Sequence, residues 1–444
     1  MKLSHDQKKL IASYNHPETL AVITSYPNRG ELYSAGKSGV ASYTKNVIKN
    51  IGHKTIILCE YDHEPMIYEE ENTLVIRCFR IGSLSMYRDI STVLLSCPLV
   101  KKLLVQYDFS LYGNIIINGL MLPFLGIVKL LGYHTTVTLH HVVTDIRKLS
   151  GHVGIGNSRY DQMKAAVYNM IFFLFYQYLD AVTSTIIVLE EELKTKLSMY
   201  IKHTEKIITI PHGVDTKVTL RDKAKARELL KLPKHKFVIL FFGYVNWFKG
   251  ADLFAEYFKH THTLLGKGVT CIMAGGESPT LKKHGYYQTF YKHVTNTVKN
   301  SDHLKLTGYV PQKKLELYFS ACDLVVMPYR HFMTASGVLS LIFSYKKPFI
   351  ISKELESILQ SSDIKTASEK IGFNPDDAAF QLNKKSCIRA TEKILANGLK
   401  EKMTKLGALV SESRSYKTIG QLYGDVLFTP SYKLTSTTNL GYTS

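Results

Sequence analysis

Short apolar runs alternate with stretches of helical length along most of the chain, in two successive series. The first series has its runs at residues 20–25, 54–59, 74–79, 134–139 and 183–189. The second series has its runs at residues 236–242, 269–274, 303–307, 323–327 and 348–352. Strands that alternate with crossover helices form parallel sheets that are buried on both faces. The pattern therefore predicts an α/β protein with two doubly wound, Rossmann-like domains.

The two series meet after the run IITIPHG, which stops at a proline and glycine turn ending at residue 213. We therefore expect one domain over residues 1–213 and a second over residues 214–414. A last amphipathic helix is expected at about 415–430, followed by a loose tail over 431–444. Ligands of such sheets bind at the carboxyl ends of the strands, so two facing domains predict a central cleft.

Composition narrows the class of protein. The six cysteines of the 444 residues are widely separated and form no CxxC pair, which favours a reducing cytosol and neither a zinc site nor a disulfide framework. The first residues lack the apolar core of a signal peptide, so a cytoplasmic protein is expected. The net charge of +19 fits a nucleic acid, an anionic lipid surface or a solvated basic face. No nucleic-acid-binding motif is present, so nucleic acid is not favoured.

The segment over residues 165–179, AAVYNMIFFLFYQYL, is the nearest approach to a membrane segment. It contains an asparagine and a glutamine and is flanked by charged residues. A helix buried against a sheet is the favoured interpretation, and an interfacial membrane helix is the alternative. We expect no membrane-spanning segment, with peripheral contact at the inner face of an anionic membrane left open.

Residues expected at the cleft follow the apolar runs directly. A Thr-Ala-Ser-Gly run over residues 334–337 opens an apolar helix, whose free N–H groups and dipole favour an anion such as a diphosphate. A capped helix after a strand is common in α/β proteins, so this run alone does not define a site. The further residues that the pattern places at strand ends are Gly36, Gly39, His140, His141, Gly243, Lys249, Gly275 and Gly276.

Taken in order, these motifs resemble the family 4 retaining glycosyltransferases of the GT-B fold over nearly the whole chain. SAGKSGVASYTKNVIKNI is similar to the glycine-rich loop and first helix of that family, and VTLHH to its strand ending in histidine. FFGYVNWFKGADLF, IMAGG and ASGVLSLIFSYKKPFIIS follow in the family's order. The final helix is similar to one that crosses back onto the N-terminal domain in such folds.

The resemblance implies transfer of a hexose-type sugar from a nucleotide diphosphate sugar to a glycan or glycolipid acceptor, with retention of configuration and without a metal or other cofactor. Lys249 would stabilise the departing diphosphate, and His140 would contact the donor sugar or support charge at the anomeric carbon. Acceptor contacts would fall within residues 106–113 or 145–161. The residues implied to bind the donor are Gly39, Gly243, Tyr309, Val310, Thr334, Ser336, Gly337 and Val338.

The chain departs from the family pattern at three positions. Thr334 and Ile342 stand where two glutamates are usual, and Tyr244 stands where an arginine is usual. Isoleucine cannot accept hydrogen bonds from ribose hydroxyls. Conceivable substitutes are Glu354, Arg330 and Ser336. The alternatives are therefore a divergent active enzyme or a catalytically degraded GT-B protein that binds a nucleotide sugar or serves a partner; an epimerase or phosphorylase of the same fold is less favoured.

Overall fold

The computed structural model describes residues 4–34, 38–333, 336–396 and 398–429, which form two α/β units. The N-terminal unit contains an eight-stranded sheet in the order β3-β4-β2-β1-β5-β6-β7-β8. Its strands are β1 Leu20–Ile23, β2 Thr55–Glu60, β3 Met66–Glu70, β4 Thr73–Phe79, β5 Lys102–Tyr107, β6 His134–Leu139, β7 Thr185–Val188 and β8 Ile207–Thr209.

The C-terminal unit contains a seven-stranded sheet in the order β10-β11-β9-β13-β14-β15, with β12 paired to β11. Its strands are β9 Phe237–Phe242, β10 Thr263–Leu264, β11 Lys267–Ala274, β12 Leu304–Leu306, β13 Leu324–Met327, β14 Phe349–Ser352 and β15 Ala379–Phe380. Most of these strands are apolar and buried, because helices cover both faces of the sheet.

Helices connect the strands in both units. Those of the N-terminal unit are α1 His5–Ala12, α2 Gly39–Lys49, α3 Met86–Leu95, α4 Ile115–Leu130, α5 Ser150–Val153, α6 Arg159–Val182 and α7 Glu191–Ser198. Those that follow are α8 Lys223–Leu229, α9 Ala251–Phe258, α10 Gly285–Lys299, α11 Leu315–Ala321, α12 Gly337–Ser344, α13 Glu356–Leu359, α14 Ser362–Ile371, α15 Lys384–Ala396, α16 Leu399–Ser413 and α17 Tyr416–Phe428.

The two-series pattern is confirmed, with two corrections in the first sheet. The central strand β5 was expected to lie within a stretch of helical length, yet it pairs in parallel with both β1 and β6. The edge strand β3 pairs antiparallel with β4, so the first sheet is mixed rather than wholly parallel. The polar, partly exposed sequence of β3 carries no apolar run, because an edge strand in contact with solvent needs none.

The last helix, α17, returns to the N-terminal unit and packs against α2. Its side chains Ile419 and Tyr423 are fully buried there, and the Tyr423 hydroxyl lies 3.0 Å from that of Tyr43. Just before α17, Ser415 forms a parallel bridge with Val214, at the connection between the two units. The crossing helix expected at about 415–430 is therefore present over α17, whereas the expected tail over 431–444 lies outside the described residues.

A buried ion-pair cluster fixes the point where the chain crosses back. The Arg414 guanidinium lies 3.0 Å from Glu190, which follows β7, and 2.6 Å from Asp363 on α14. All three side chains are almost completely buried. Burial raises the pKa of Glu190 to about 7, although Arg414 opposes this shift. This cluster joins the N-terminal sheet, the C-terminal unit and the crossing segment at one place.

Within the described ranges, α6 is the one helix whose length and composition would allow it to cross a membrane. A third of its apolar window, 33%, is nevertheless buried inside the protein. Phe175, Tyr176 and Leu179 lie on the buried side and belong to the main hydrophobic core. In this structure α6 is therefore a helix of the N-terminal unit that packs along its sheet.

Candidate functional site

The carboxyl ends of both sheets contribute side chains to one region between the two units. His140 follows β6, Lys249 follows β9, and Val338 lies in the first turn of α12. A continuous set of contacts connects them, because Tyr43 touches both His140 and His212, and His212 is bonded to Ser340 on α12. The structure thus places the expected residues of the two units around a common cleft.

His140 is held on the N-terminal side by its own sheet. Its Nε2 lies 2.7 Å from Oε1 of Gln106 on β5, and its backbone N–H donates to the Tyr107 carbonyl at 2.9 Å. The Tyr43 ring meets it edge-on, with 5.2 Å between ring centroids. Burial lowers the pKa of His140 to about 3, so the ring is neutral at physiological pH. Because Oε1 only accepts, Nε2 carries the proton and Nδ1 keeps a lone pair.

The neighbouring His141 has a carboxylate partner, which His140 lacks. Its Nδ1 lies 2.7 Å from Oδ2 of Asp108. Burial would lower the pKa of His141, but Asp108 raises it above its usual value. Burial would raise the pKa of Asp108, but His141 and the Ser110 hydroxyl hold it well below its usual range. His141 and Asp108 therefore stabilise each other's charged forms beside the cleft, and Asp108 falls within the segment expected to meet the acceptor.

Lys249 provides a cation on the C-terminal side. A side-chain atom added at Gly243 would come within 2.7 Å of the Lys249 Nζ and 3.6 Å of Val338 Cγ2, so these three residues converge. Lys249 is held there by Gly250, which has a left-handed φ of 66° and whose Cβ would lie 1.9 Å from the Pro328 carbonyl oxygen. The strand β9 and this forced glycine turn aim the lysine into the cleft.

The Lys249 ammonium is unusual in its surroundings. Burial lowers the pKa of Lys249 to about 8. Among the described residues its Nζ has neither a hydrogen bond nor an ion pair, and it lies 5.9 Å from the centroid of the Phe248 ring. An ammonium that is partly withdrawn from water and has no anion beside it is costly for the fold. A ligand anion bound at this place would remove that cost, so Lys249 is suited to a diphosphate.

The first turn of α12 lies beside Lys249. The Ser336 hydroxyl accepts a hydrogen bond from the Leu339 N–H at 3.2 Å and so caps the helix. A Cβ at Gly337 would meet nothing within 4 Å, so the space in front of this turn is open. Gly337 and Val338 offer N–H groups with no acceptor among the described residues. Thr334, which was expected to bind the donor, lies outside the described residues.

An aromatic pair marks the far end of the C-terminal half. The rings of Tyr244 and Tyr309 are stacked, with 6.3 Å between centroids and 18° between planes. Gly276 gives them room, because a Cβ there would lie 2.7 Å from the Tyr309 backbone nitrogen. Tyr309 is 58% exposed, whereas Val310 is buried. Tyr244 stands where the family pattern has an arginine. Its ring therefore stacks on the ring of Tyr309 beside Gly243.

Gly39 begins α2 on the N-terminal side, as expected, whereas Gly36 lies outside the described residues. A Cβ at Gly39 would meet nothing within 4 Å, and Ser38 precedes the helix without a side-chain capping bond. The first turn of α2 is therefore open to solvent. Nothing in the described contacts joins Gly39 to Lys249 or to α12 directly, so the two helix starts are separate surfaces of the cleft.

Two histidines that the sequence did not single out as ligands contact the site. His212 Nδ1 lies 2.8 Å from the Ser340 hydroxyl on α12, and burial lowers its pKa to about 4. We expected His212 to be a turn residue, and it does lie in the connection between the units. Its ring also lies 4.9 Å from that of Tyr43, so it links the His140 side to α12. In the sequence, the flanking Pro211 and Gly213 predict a turn at His212 but do not predict a contact with the site.

His152 approaches Lys249 from the N-terminal unit. The loop that carries it packs on the C-terminal unit, because a Cβ at Gly151 would lie 2.4 Å from the Trp247 ring. The His152 ring meets the Phe248 ring edge-on at 5.0 Å. Burial lowers the pKa of His152 to about 4, and the charges of His141 and Lys249 add to this shift. Its buried Nδ1 has no hydrogen-bond partner within the described part of the chain.

The departures from the family pattern have structural counterparts. Ile342 is completely buried on α12 and packs in the core, so it cannot replace a ribose-binding carboxylate. Arg330 makes two bonds to Asp252, of 2.8 and 2.6 Å, and is therefore already committed within its own unit. Glu354 lines a recess with Glu192 and Asp376, whose negative charge does not suit a diphosphate. Of the three conceivable substitutes, Ser336 is the one beside Lys249 and Val338.

One group of residues in the described ranges has the spacing of a metal site. It comprises His262, Asp302 and His303, which precede strands of the C-terminal sheet and so lie at the edge opposite the cleft. Both ring nitrogens of His303 are engaged, with the Phe258 carbonyl at 2.8 Å and the Ser301 hydroxyl at 3.2 Å. This group takes no part in the cleft chemistry, and metal independence stays a prediction.

The arrangement of two such units around a cleft matches known folds. The chain is similar to sucrose-phosphate synthase from Thermosynechococcus elongatus, with a TM-score of 0.64 and 14% identity over 95% of this chain and 100% of that one. It has the GT-B fold. WaaG, a glycosyltransferase involved in lipopolysaccharide biosynthesis, is similar with a TM-score of 0.61 and 11% identity over 93% of this chain and 100% of that one.

A further GT-B neighbour is HepE of Anabaena, which was solved in complex with UDP and glucose. It has a TM-score of 0.56 and 13% identity over 96% of this chain and 100% of that one. The family described as glycosyl transferases group 1 matches residues 222–355. The match covers β9, Lys249, the Tyr309 segment and α12, which is the C-terminal half of the cleft. Among curated proteins no sequence is significantly similar to this chain.

Proposed function

We propose that the protein is a glycosyltransferase that moves a hexose-type sugar from a nucleotide diphosphate sugar to a glycan or glycolipid acceptor. The observation that carries this proposal is the partly buried Lys249 ammonium, which lies beside Gly243 and the open first turn of α12. These features lie inside the segment that matches the glycosyl transferases group 1 family. HepE, a GT-B neighbour, binds UDP and glucose, which supports a nucleotide sugar as the donor.

In the proposed reaction, an acceptor hydroxyl attacks the anomeric carbon of the donor sugar. The bond between that carbon and the diphosphate breaks, and the nucleoside diphosphate leaves with the electron pair. The hydroxyl proton passes to the departing diphosphate, and the same face of the sugar is used, so that configuration is retained. Negative charge grows on the diphosphate in the transition state, where Lys249 and the N–H groups of Gly337 and Val338 would stabilise it.

The N-terminal side of the cleft would hold the donor sugar and the acceptor. His140 is neutral because burial lowers its pKa to about 3, so we assign it hydrogen bonding to the sugar rather than charge compensation. Tyr309, Val310 and Gly243 would surround the base and ribose, with Ser336 near the diphosphate and Gly39 at the opposite rim. We add His152 to these residues for two reasons. Its Nδ1 has no hydrogen-bond partner among the described residues, and the charge of Lys249 contributes to the lowering of its pKa.

A metal is not required by this proposal, because Lys249 and helix N–H groups supply the positive charge that a divalent cation would otherwise bring. Calorimetry with and without a chelator tests this point. Unchanged affinity for a nucleoside diphosphate in the chelator is expected, whereas a dependence on Mg²⁺ or Mn²⁺ would overturn metal independence.

A degraded GT-B protein, which binds a nucleotide sugar without transferring it, is the second candidate. The buried Ile342 favours it, since this position cannot supply the carboxylate that the family pattern has there. Calorimetry against UDP-, GDP- and ADP-sugars and their diphosphates, with nucleotide release followed in the same samples, separates the two. Binding with release supports the transferase. Binding without release, when glycan and lipid acceptors are supplied, supports the degraded protein.

A cytoplasmic position peripheral to the inner face of a membrane would suit a lipid-linked acceptor. The acceptor segments expected at 106–113 and 145–161 belong to the N-terminal unit, which also carries the long apolar helix α6. Fractionation of cells that express the tagged protein tests this position. Recovery with membranes, and release by high salt, is the expected result.

A further inference from the structure

Two neighbouring helices of the N-terminal unit expose an apolar face. On α6, large apolar side chains recur at helical spacing on the outer side, at Tyr160, Met163, Val167, Met170 and Leu174. On α4, the outer side carries Ile115, Ile116, Ile127 and Leu130, and Leu130 is 89% exposed. Exposed apolar side chains at single positions are common, but two adjacent helical stripes are not. We call these nine residues the α4–α6 face.

Topology puts both stripes on one surface. Helix α4 connects β5 to β6, and α6 connects β6 to β7, so the two right-handed crossovers advance in one direction and lie on the same side of the sheet. The helices pack together, because a Cβ at Gly126 on α4 would lie 2.5 Å from the Tyr178 hydroxyl on α6. On the opposite side of the sheet, α2 is covered by α17. Among residues 4–34, 38–333, 336–396 and 398–429, no helix covers the α4–α6 face in this way.

The charges around this face are mostly positive. The exposed charged side chains on the two helices include Lys129, Arg159 and Lys164. Of the acidic residues on α6, Asp180 is buried and Asp161 is partly exposed, so three basic side chains accompany one acidic side chain on the outer surface of the two helices. An anionic lipid surface matches an apolar face with a basic rim. A symmetric contact with a second copy would instead bring the like charges of the two copies together.

We propose that the α4–α6 face is a docking surface for an anionic phospholipid bilayer, with both helices lying along the membrane plane. The inference extends the peripheral location given in the proposed function, and it does not require transfer activity. Burial of Phe175, Tyr176 and Leu179 in the core holds α6 against the sheet, which suits a helix that rests on a membrane rather than one that crosses it.

Docking in this manner would place the bilayer beside the cleft. Helices that follow parallel strands start at the carboxyl ends of those strands, so Ile115, Ile116 and Tyr160 lie at the cleft side of the face. The loop before α6 contacts the C-terminal unit, since Gly154 packs against Tyr286. A membrane-anchored acceptor could therefore reach the N-terminal half of the cleft without leaving the lipid surface.

Vesicle flotation with the full chain tests the proposal. We expect the protein to float with vesicles of phosphatidylcholine and phosphatidylglycerol and much less with phosphatidylcholine alone, with binding that weakens as salt increases. Leu174→Glu places a charge on a 57% exposed leucine and should reduce vesicle binding at least fivefold. Leu229→Glu, at a 53% exposed leucine of α8 in the other unit, is the matched control and should bind as the native chain does.

The contribution of the basic residues around the α4–α6 face is tested separately from that of its apolar side chains. Lys164→Gln should weaken binding to anionic vesicles, whereas Lys365→Gln on α14 should not. Thermal unfolding checks that each variant is folded, and Ile127→Glu replaces Leu174→Glu if that variant does not fold. Nucleoside diphosphate affinity, measured on the same variants, should be unchanged, so a failure of donor binding is distinguished from a failure of docking.

Three results would overturn the docking proposal. The first is a native chain that binds neither vesicle type. The second is that Leu174→Glu and Ile127→Glu bind vesicles as tightly as the native chain. The third result is a dimer, seen by analytical ultracentrifugation without lipid, that Leu174→Glu dissociates; it would assign the α4–α6 face to a second copy.

Discussion

The C-terminal half of the cleft presents a cation and helix N–H groups that have no partner among the described residues, whereas the two histidines that follow β6 in the N-terminal half each have a side-chain partner. Lys249 has no anion among the described residues, but His140 is bonded to Gln106 and His141 to Asp108. An unpaired buried cation indicates a site that is completed by an anionic ligand. Paired histidines indicate a surface that is rigid before the ligand arrives. The comparison assigns diphosphate binding to the C-terminal half and sugar positioning to the N-terminal half.

The largest effect is expected from Lys249→Ala. Removal of a preorganised charge from a transition state costs about 10²- to 10³-fold in turnover. We expect a loss of that size in kcat/KM, together with weaker binding of the nucleoside diphosphate. The fold should be kept or stabilised, because the buried ammonium is lost. Lys365→Ala, at an exposed lysine of α14, is the matched control, and full activity of Lys249→Ala would refute the division of roles.

The next effect is expected from His140→Ala, which removes a sugar contact in the N-terminal half. A hydrogen bond between neutral groups, as assigned here to His140 and the sugar, is worth about 0.5–1.5 kcal/mol, so kcat should fall about two- to tenfold. Affinity for the free nucleoside diphosphate should change little. Steady-state kinetics and calorimetry on the same variant measure the two quantities. Equal losses in kcat and in nucleoside diphosphate affinity would mean that His140 contacts the diphosphate. The assignment of diphosphate binding to the C-terminal half alone would then be wrong.

The pH dependence of binding follows from Lys249. Because the pKa of Lys249 is about 8, nucleoside diphosphate affinity should fall above pH 8, by nearly tenfold for each pH unit once the lysine is neutral. Lys249→Arg should remove this dependence, since arginine stays protonated. Calorimetry from pH 7 to 9.5 checks this expectation, and a flat profile for the native chain would contradict it.

Lys249 should affect stability in the direction opposite to its effect on ligand affinity: as the pH rises, affinity falls but the folded chain becomes more stable. Its pKa of about 8 in the folded chain lies below the ordinary value of 10.5, so between these two values the unfolded chain binds more protons. The free energy of unfolding from this group therefore increases with pH over that range. Thermal unfolding should therefore show the native chain gaining stability relative to Lys249→Met as the pH rises from 8 toward 10.5.

A smaller effect is expected from Gly337→Ala. A Cβ at Gly337 meets nothing within 4 Å in the ligand-free chain, so the fold should accept the methyl group. If a diphosphate approaches this backbone, the methyl group should crowd it and weaken binding at least about fivefold, from an overpacking cost of about 1–3 kcal/mol. Gly119→Ala, an equally open glycine on α4, is the control. Equal affinity in both variants would place the anion elsewhere.

The smallest effect is expected from loss of the hydrogen bond between His212 and Ser340, which links the two halves of the cleft. His212→Ala removes the hydrogen bond to Ser340, worth about 1 kcal/mol, and should raise KM about two- to fivefold. Ser340→Ala should have a similar effect, and the double variant should be no worse than either single one, because both act on one bond. Additive losses would show that the two residues act separately.

The sequence predicted most strands of both sheets and the final helix, because their apolar runs and stripes are local signals. It did not predict β5, although that strand is central. Ser96 and Pro98 mark a turn between α3 and β5, but the apolar part of β5 is only Leu103 to Val105, and so short a run does not stand out between residues 80 and 133. The edge strand β3 was missed because exposed strands need no apolar run.

Lys249, Gly243 and Val338 were placed in the cleft from motifs in the C-terminal half, and the structure brings these three residues together. The placement of His152 beside Lys249 could not be predicted, since it depends on packing of Gly151 against Trp247 across the two units. The same applies to His212, whose partner Ser340 lies 128 residues away along the chain. Contacts between units carry no local signal in one sequence.

Titration calorimetry with UDP, GDP and ADP, on the native chain, Lys249→Ala and His140→Ala, tests the central claim most directly. We predict that one nucleoside diphosphate binds the native chain, that its affinity falls at least tenfold in Lys249→Ala, and that it is nearly unchanged in His140→Ala. Binding that is lost in His140→Ala but kept in Lys249→Ala, or no binding to the native chain, would contradict the account.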